Sequence, residues 1–327
     1  MLDGRPPTVK YAVMCREVMG MESAALMSVS NLVKTYGEVR AVDGVSFSVP
    51  RAEVFTLLGP NGAGKTTTLE ILEGIREADS GEIEVFGRRL RRVDRATKER
   101  MGVLLQEGNF EPYLKVREVL RLFASFFRSA RSPNEVLREI ALEEKAASLV
   151  KTLSGGQKQR LAIGVALIND PELVFLDEPT TGLDPQARRN IWSIISGLRA
   201  AGKTIILTTH YMDEAETLSQ TVSIMDHGRV IARGTPRELT SSLGQETIVE
   251  FVAGERAAGA SEALVGSCRN VRSEAGLVSV ETDDLVATLR LLLDWSREAG
   301  VPVADMVVRQ PNLEDVFLSL TGRKLRE

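Results

Sequence analysis

The amino-acid sequence predicts an α/β fold: one domain built on a mostly parallel sheet, followed by a small α+β domain. Strand-sized apolar runs alternate with amphipathic helices between Leu161 and Asp226, the pattern of a parallel sheet covered on both faces. The strand-like run Glu53–Leu58 ends in a glycine-rich turn that opens a helix. Near Leu243–Gly244 the pattern restarts in short alternating runs.

Taken in order, Met1–Ala25 carries Pro6-Pro7, scattered charges and no sustained period, and reads as a loose extension. Methionines at positions 14, 19, 21 and 27 leave open a natural start within it. From Leu26 the texture turns β-like: Leu26–Val33 and Val45–Val49 alternate as strands, and Glu53–Leu58 is a third. The stretch from Val116 to Val150 is helical. Leu120, Phe123 and Phe127, then Val136, Leu137 and Ile140, recur at helical spacing around a turn at Ser132-Pro133-Asn134. Leu173–Leu176, Thr204–Thr209 and Gln220–Asp226 then read as strands, separated by helices at Pro185–Ala200 and Met212–Leu218. Beyond Gly244, Thr247–Val252, Leu277–Glu281 and Val301–Arg309 are β-like. Asp284–Glu298 is an amphipathic helix through Leu285, Leu289, Leu292 and Trp295, and Leu313–Leu320 is a short closing helix. The expected division is an extension at 1–25, an α/β domain at 26–243 and an α+β accessory domain at 244–327, the last of about eighty residues.

Composition narrows the function classes. The 327 residues are 43% hydrophobic and 26% charged, with 41 basic against 45 acidic side chains and a formal net charge of −4. Nothing there marks a general nucleic-acid binder. Cys15 and Cys268 do not make a disulfide framework and read as free thiols of a reducing compartment. Two histidines leave little room for a zinc site. No stretch reaches the roughly 20 apolar residues of a membrane helix. A role at a membrane therefore needs a second polypeptide to supply the membrane part.

Three segments carry chemistry. Gly59-Pro60-Asn61-Gly62-Ala63-Gly64-Lys65-Thr66, between a strand and the helix Thr67–Leu72, is a P-loop. Glycines let backbone N–H groups converge on a polyphosphate, and the helix start adds its positive end. Lys65 adds a point charge and the Thr66 hydroxyl a ligand for Mg²⁺. The strand Leu173–Leu176 delivers Asp177-Glu178. Asp177 suits Mg²⁺ through its water shell, and Glu178 the orientation or deprotonation of an attacking water. Leu153-Ser154-Gly155-Gly156-Gln157 opens a further helix as a second anion-binding nest. One domain has no use for two such nests, whereas two copies facing each other would each close on the other's ATP.

Taken together these segments resemble the nucleotide-binding domain of ABC ATPases, and the remaining elements of that family follow in order over about Leu26–Leu243. Tyr36, before Gly37, matches the aromatic that stacks on adenine. Gln106 matches the Q-loop glutamine that senses Mg²⁺ and the γ-phosphate, Gly182-Leu183-Asp184 the D-loop, and His210 the switch histidine. The resemblance implies a P-loop NTPase domain with a mixed sheet core, a β subdomain and a helical subdomain. It implies ATP and Mg²⁺ as cofactors, with Thr66, Gln106 and Asp177 at the metal. Gly59 to Thr67, Tyr36 and Ser154 to Gln157 would hold nucleotide, and Lys65, Gln106, Glu178 and His210 would take part in hydrolysis. It also implies a homodimer docked, beside Gln106–Tyr113 and the helical middle, on a separate transmembrane permease at the cytoplasmic face of the cell membrane, with no nucleic acid expected. The ending Pro311–Gly322 resembles that of bacterial exporters of the daunorubicin-resistance type and of related polysaccharide and lipid exporters. Two rivals remain: soluble ABC ATPases acting on ribosomes or DNA, which usually carry two ATPase domains or long coiled coils, and importer ATPases, which share every catalytic residue and differ mainly in the C-terminal domain.

Overall fold

The computed structural model of the chain describes residues 25–90, 92–104, 110–244, 247–254, 259, 264, 268, 270–274, 276–300 and 304–322. Residues 1–24 of the expected extension lie outside them, and so does Gln106.

The chain begins β1 (Met27–Tyr36), β2 (Val39–Val49), β3 (Val54–Leu58) and α1 (Lys65–Leu72). It continues β4 (Ser80–Val85), β5 (Arg88–Leu90), α2 (Arg95–Lys98) and β6 (Met101–Val103). The helical middle holds α3 (Val116–Ala124), α4 (Pro133–Glu139) and α5 (Gly155–Leu167), with two 3₁₀ turns before α5. Then come β7 (Leu173–Asp177), α6 (Pro185–Ala200), β8 (Thr204–Thr209), α7 (Met212–Leu218), β9 (Thr221–Asp226), β10 (Arg229–Gly234) and α8 (Pro236–Ser241). The tail carries β11 (Thr247–Val252), β12 (Asn270–Glu274), β13 (Leu277–Thr282) and β14 (Ala304–Arg309), with helices at Leu285–Ala299 and Leu313–Thr321.

The central sheet runs β10-β9-β3-β8-β7-β6. Its strands are parallel except for β10, which pairs antiparallel with β9. β3 and β7 are buried at every position because both faces are covered. Alternation along each strand separates the two faces. Leu173 and Phe175 join Phe55, Leu57 and the β subdomain, whereas Val174 and Leu176 join Val54, Ile205, Leu207 and the helices α3 to α6. The β subdomain is the sheet β2-β1-β4-β5.

Strands β4, β5 and β10 and the first half of β2 were not legible from alternation. In β4 only Ile83 and Val85 are buried, and β10 has no fully buried residue. The turn before β10 is built by His227 at φ +45° and Gly228 at φ +77°, a pair of positive φ values suited to a tight hairpin.

In the tail the sheet β12-β13-β11-β14 is antiparallel throughout. Helix Leu285–Ala299 packs on it through Leu292, against Val249, Phe251, Val278 and Val280. The closing helix does not join this cluster. Its Leu313, Val316 and Phe317 are buried with Leu58, Ala215, Val222, Ile224 and Leu239 of the central domain. Residues 244–327 are thus shared between two hydrophobic clusters. The crossing is fastened by Arg309, which ion-pairs with Glu250 of β11 at 2.9 Å and with Asp315 of the closing helix at 2.5 Å. The Leu313 N–H donates to the Glu216 carboxylate of α7 at 2.6 Å.

Candidate nucleotide site

Strand order brings three chain segments together at one end of the sheet. β8 lies between β3 and β7, with Leu58 beside Thr209 and Asp177 beside Thr208. The loop after β3, the acids closing β7 and the histidine after β8 therefore converge outside the carboxyl ends of the strands, where open α/β sheets place their ligands.

The loop Gly59–Gly64 needs its glycines for two reasons. Gly62 and Gly64 sit at φ +81° and +99°, a region L-residues enter at a cost of about 1–2 kcal/mol. A Cβ at Gly59 would collide with the Met225 carbonyl, and one at Gly64 with the Ala41 carbonyl. The β9–β10 turn braces the loop from behind. The Gly228 N–H donates to the Ala63 carbonyl at 3.0 Å, and the Asp43 N–H to the Gly228 carbonyl at 2.8 Å. Gly64 caps α1 without a side chain, so the first N–H groups of the helix keep their donors for a ligand.

Lys65 is only 4% exposed. Its ammonium donates to the carbonyls of Gly59 at 2.8 Å and Pro60 at 3.1 Å and ion-pairs with Glu178 at 3.2 Å. Burial pushes the Lys65 pKa down, and the carboxylates of Glu178 and Asp177 pull it partly back. Asp177 Oδ1 accepts from the hydroxyls of Thr66 at 3.4 Å and of Thr208. Glu178 adopts φ +44°. Its N–H donates to the Thr208 hydroxyl at 3.0 Å, and its Oε2 lies 3.1 Å from His210 Nδ1 and accepts from Thr181 at 3.2 Å. Burial alone would raise the Glu178 carboxyl, but the Lys65 ammonium and the hydrogen bonds from Lys65 and His210 outweigh it and hold the group below its ordinary value. An ionised carboxylate, a buried ammonium and an imidazole thus meet at the mouth of a backbone anion cradle.

The profile of the ABC transporter family matches residues 42–181, the span from β2 past Glu178. A Nod factor export ATP-binding protein of Ralstonia nicotianae is 42% identical over 317 residues, covering 94% of this chain and 97% of that protein. The chain belongs to the ABC transporter family. A linearmycin resistance ATP-binding protein of Bacillus subtilis is 36% identical across 92% of this chain and 100% of that one. Among solved structures, a dimeric ATP-binding cassette in a post-hydrolysis state with ADP and Pi superposes with TM-score 0.58. It is 28% identical and covers 64% of this chain and 98% of that one.

As an ABC ATPase the chain is an ATP hydrolase, and the other motif residues are placed as follows. Tyr36 ends β1, 40% exposed, with the Lys34 ammonium 5.7 Å and the Arg76 guanidinium 5.3 Å from its ring centre. Asp184 caps α6 by accepting from the Ala187 N–H at 2.8 Å. Ser154 caps α5 in a reciprocal box with Gln157, at 3.3 Å and 3.0 Å. Ser154 and Gly155 face outward, and a Cβ on Gly155 would meet nothing. The hydrogen bonds of this nest stay within its own helix start. Three residues of the site were not read from the sequence: Thr208, which orients Asp177 and Glu178, and Thr181 and Gly228. Each acts across strands or turns, so no local pattern announces it.

Proposed function

We propose that this chain is the energising subunit of an exporter. Two copies would sandwich two ATP molecules at the cytoplasmic face of the membrane and drive a separate multi-spanning permease. The observation that carries the reading is the Lys65–Glu178–His210 cluster lying beneath an anion cradle, while the Ser154–Gly156 nest opens outward on the same chain. Relatives named for Nod factor export, linearmycin resistance and daunorubicin resistance support an exporter of drugs or lipid- or polysaccharide-like compounds. Phe110, Phe123 and the exposed Phe126 and Tyr113 give the helical middle an aromatic surface suited to a permease segment.

Catalysis would proceed by in-line attack of water on the γ-phosphate. The Gly59–Gly64 N–H groups and the start of α1 hold the β- and γ-phosphates, and Thr67 closes that set. Tyr36 stacks on adenine. Lys65, relieved of its carbonyl partners, donates to the phosphate. Glu178 loses that ion pair and takes the proton of the attacking water. His210 keeps Glu178 oriented and contacts the γ-phosphate, and the family resemblance assigns Gln106 to the same phosphate. The partner copy's Ser154, Gly155, Gly156 and Gln157 neutralise charge that develops in the transition state. The hydroxyl of Thr66 and the carboxylate of Asp177, neighbours at 3.4 Å, form the hard-oxygen donor set that suits Mg²⁺. That ion supplies neutralising charge on the phosphate oxygens. Residues 247–309 would serve as an accessory unit tied to the ATPase by the closing helix.

The test is affinity purification of the tagged full chain from solubilised membranes. A multi-spanning membrane subunit should accompany it, and the complex should turn over ATP. Recovery with ribosomal particles instead would overturn the transport reading.

A further inference from the structure

Glu214 is fully buried, at 0% exposure, in the first turn of α7. A carboxyl placed there needs a reason, because an acid this deep is costly without partners. Two donors converge on one of its oxygens: the Thr180 hydroxyl and the Trp192 indole N–H, each 2.9 Å from Oε1. The nearby Thr209 side chain, with these two donors, holds its pKa down. Burial nevertheless leaves its pKa raised. The second oxygen, Oε2, is buried without a hydrogen-bond partner.

The two donors and the neighbouring Thr209 are informative by position. Thr180 is two residues after Glu178, Thr209 immediately precedes His210, and Trp192 lies on α6, the helix that starts at the D-loop. Glu178 is held at φ +44°, a strained conformation that persists only where its surroundings over-determine it. Its N–H is tied to the Thr208 hydroxyl, and two residues further on Thr180, itself fully buried, donates to Glu214. The same carboxyl is four residues from His210 on a rigid helix start. A second contact ties α6 to the switch segment: the Arg188 guanidinium lies 4.2 Å over the Tyr211 ring, whose neighbour at 4.1 Å is the His210 ring.

We propose that Glu214 is a positioning residue for hydrolysis, the shared buried anchor that sets Glu178 against His210 and ties both to α6. It touches neither nucleotide nor the P-loop, so it governs turnover and leaves ATP binding alone. The inference rests on the assignment of Glu178 and His210 to hydrolysis.

The experiment measures kcat, KM for ATP, equilibrium ATP binding and melting temperature on the full chain with its membrane subunit. Glu214→Ala should lower kcat about tenfold to a hundredfold, the scale of an ångström-sized misplacement of catalytic groups, while KM and binding stay within about threefold. Glu214→Gln, which keeps the accepting oxygen, should restore kcat to within about threefold of wild type. Thr180→Val covers the case in which Glu214→Ala does not fold, since it removes one donor with little change of shape. It should lower kcat about threefold to tenfold and add nothing further in the Glu214→Ala background. Full turnover in Thr180→Val, additive losses, or a fall in binding that matches the fall in kcat would each overturn the proposal. A Glu214→Gln protein that is folded but as slow as Glu214→Ala would also overturn it. Failure of the underlying assignment looks different: Glu178→Gln itself would then keep its turnover.

Discussion

Two helix starts in this chain carry the glycines of an anion nest, and they differ in what surrounds them. At α1 the cap is Gly64, with no side chain to satisfy the first N–H groups, and the turn is walled by Ala41, Gly228 and the buried Lys65. At α5 the cap is Ser154, whose box with Gln157 takes up the Ser154 and Gln157 N–H groups; Gly155 lies open, while Gly156 backs onto Ala187 of α6. The first nest is a pocket whose donors are held ready by strain and by neighbouring strands. The second is half a pocket, stable alone and unenclosed. The local motif is the same in kind, and on the proposed reading the tertiary wall decides whether it acts within the chain or on a partner.

The largest effect that would break this comparison comes from Ser154→Arg. Hydrolysis and ATP-driven dimerisation should fall to background while the first ATP still binds the monomer, because bulk and charge enter the closing interface only. Mixing it with Lys65→Ala places both lesions at one site of a mixed dimer and spares the other, so partial recovery of turnover is expected. Loss of monomer ATP binding by Ser154→Arg, followed by titration of labelled nucleotide, would put the second nest in cis. Glu178→Gln comes next. Turnover should drop by about 10²–10⁴ with ATP binding retained, and near-wild-type rates on the purified complex would remove Glu178 as the base.

A glycine pair sharpens the contrast at smaller scale. Gly64→Ala meets both a positive φ and the Ala41 carbonyl, and should weaken ATP affinity about tenfold or more. Gly155→Ala meets open space and should leave monomer ATP binding within about threefold, as calorimetry on the two variants would reveal. The smallest effect concerns Glu73, at the carboxyl end of α1. Burial, with Asp177 and Glu70 nearby, raises its pKa to about 8. The folded state then holds a proton that the unfolded state releases above its ordinary value near 4.5. Stability from this group is therefore highest below that value and falls as pH rises toward 8. Glu73→Gln should raise the melting temperature more at pH 8 than at pH 5, and an equal gain at both would show that Glu73 is ionised in the fold.

How the site assembles explains what could be read in advance. Gly59 to Thr67, Asp177-Glu178 and Ser154 to Gln157 are legible because each chemistry is written in adjacent residues beside an apolar strand or at a helix start, whereas Tyr36, Gln106 and His210 are reached only through the resemblance to ABC ATPases. The alternation of strands and helices from Leu161 likewise predicts the parallel sheet and its two covered faces, since buried strands must be apolar throughout. The pairing of Thr208 with Asp177 and Glu178 is not local. It exists because β8 inserts between β3 and β7, and nothing in the run Thr204–Thr209 names its neighbours. Glu214 looks like one more acid of a helix's first turn until α6 and the end of β7 close over it. The closing helix Leu313–Thr321 has an apolar stripe by itself, yet only the fold chooses the central domain as its partner, through Phe317 and Val316 beside Ala215 and Leu239. Sequence by itself determined the local conformations and the chemical groups on offer, because these depend on neighbours along the chain. Tertiary structure decided which groups meet, because burial and strand order are settled by contacts between residues far apart in sequence.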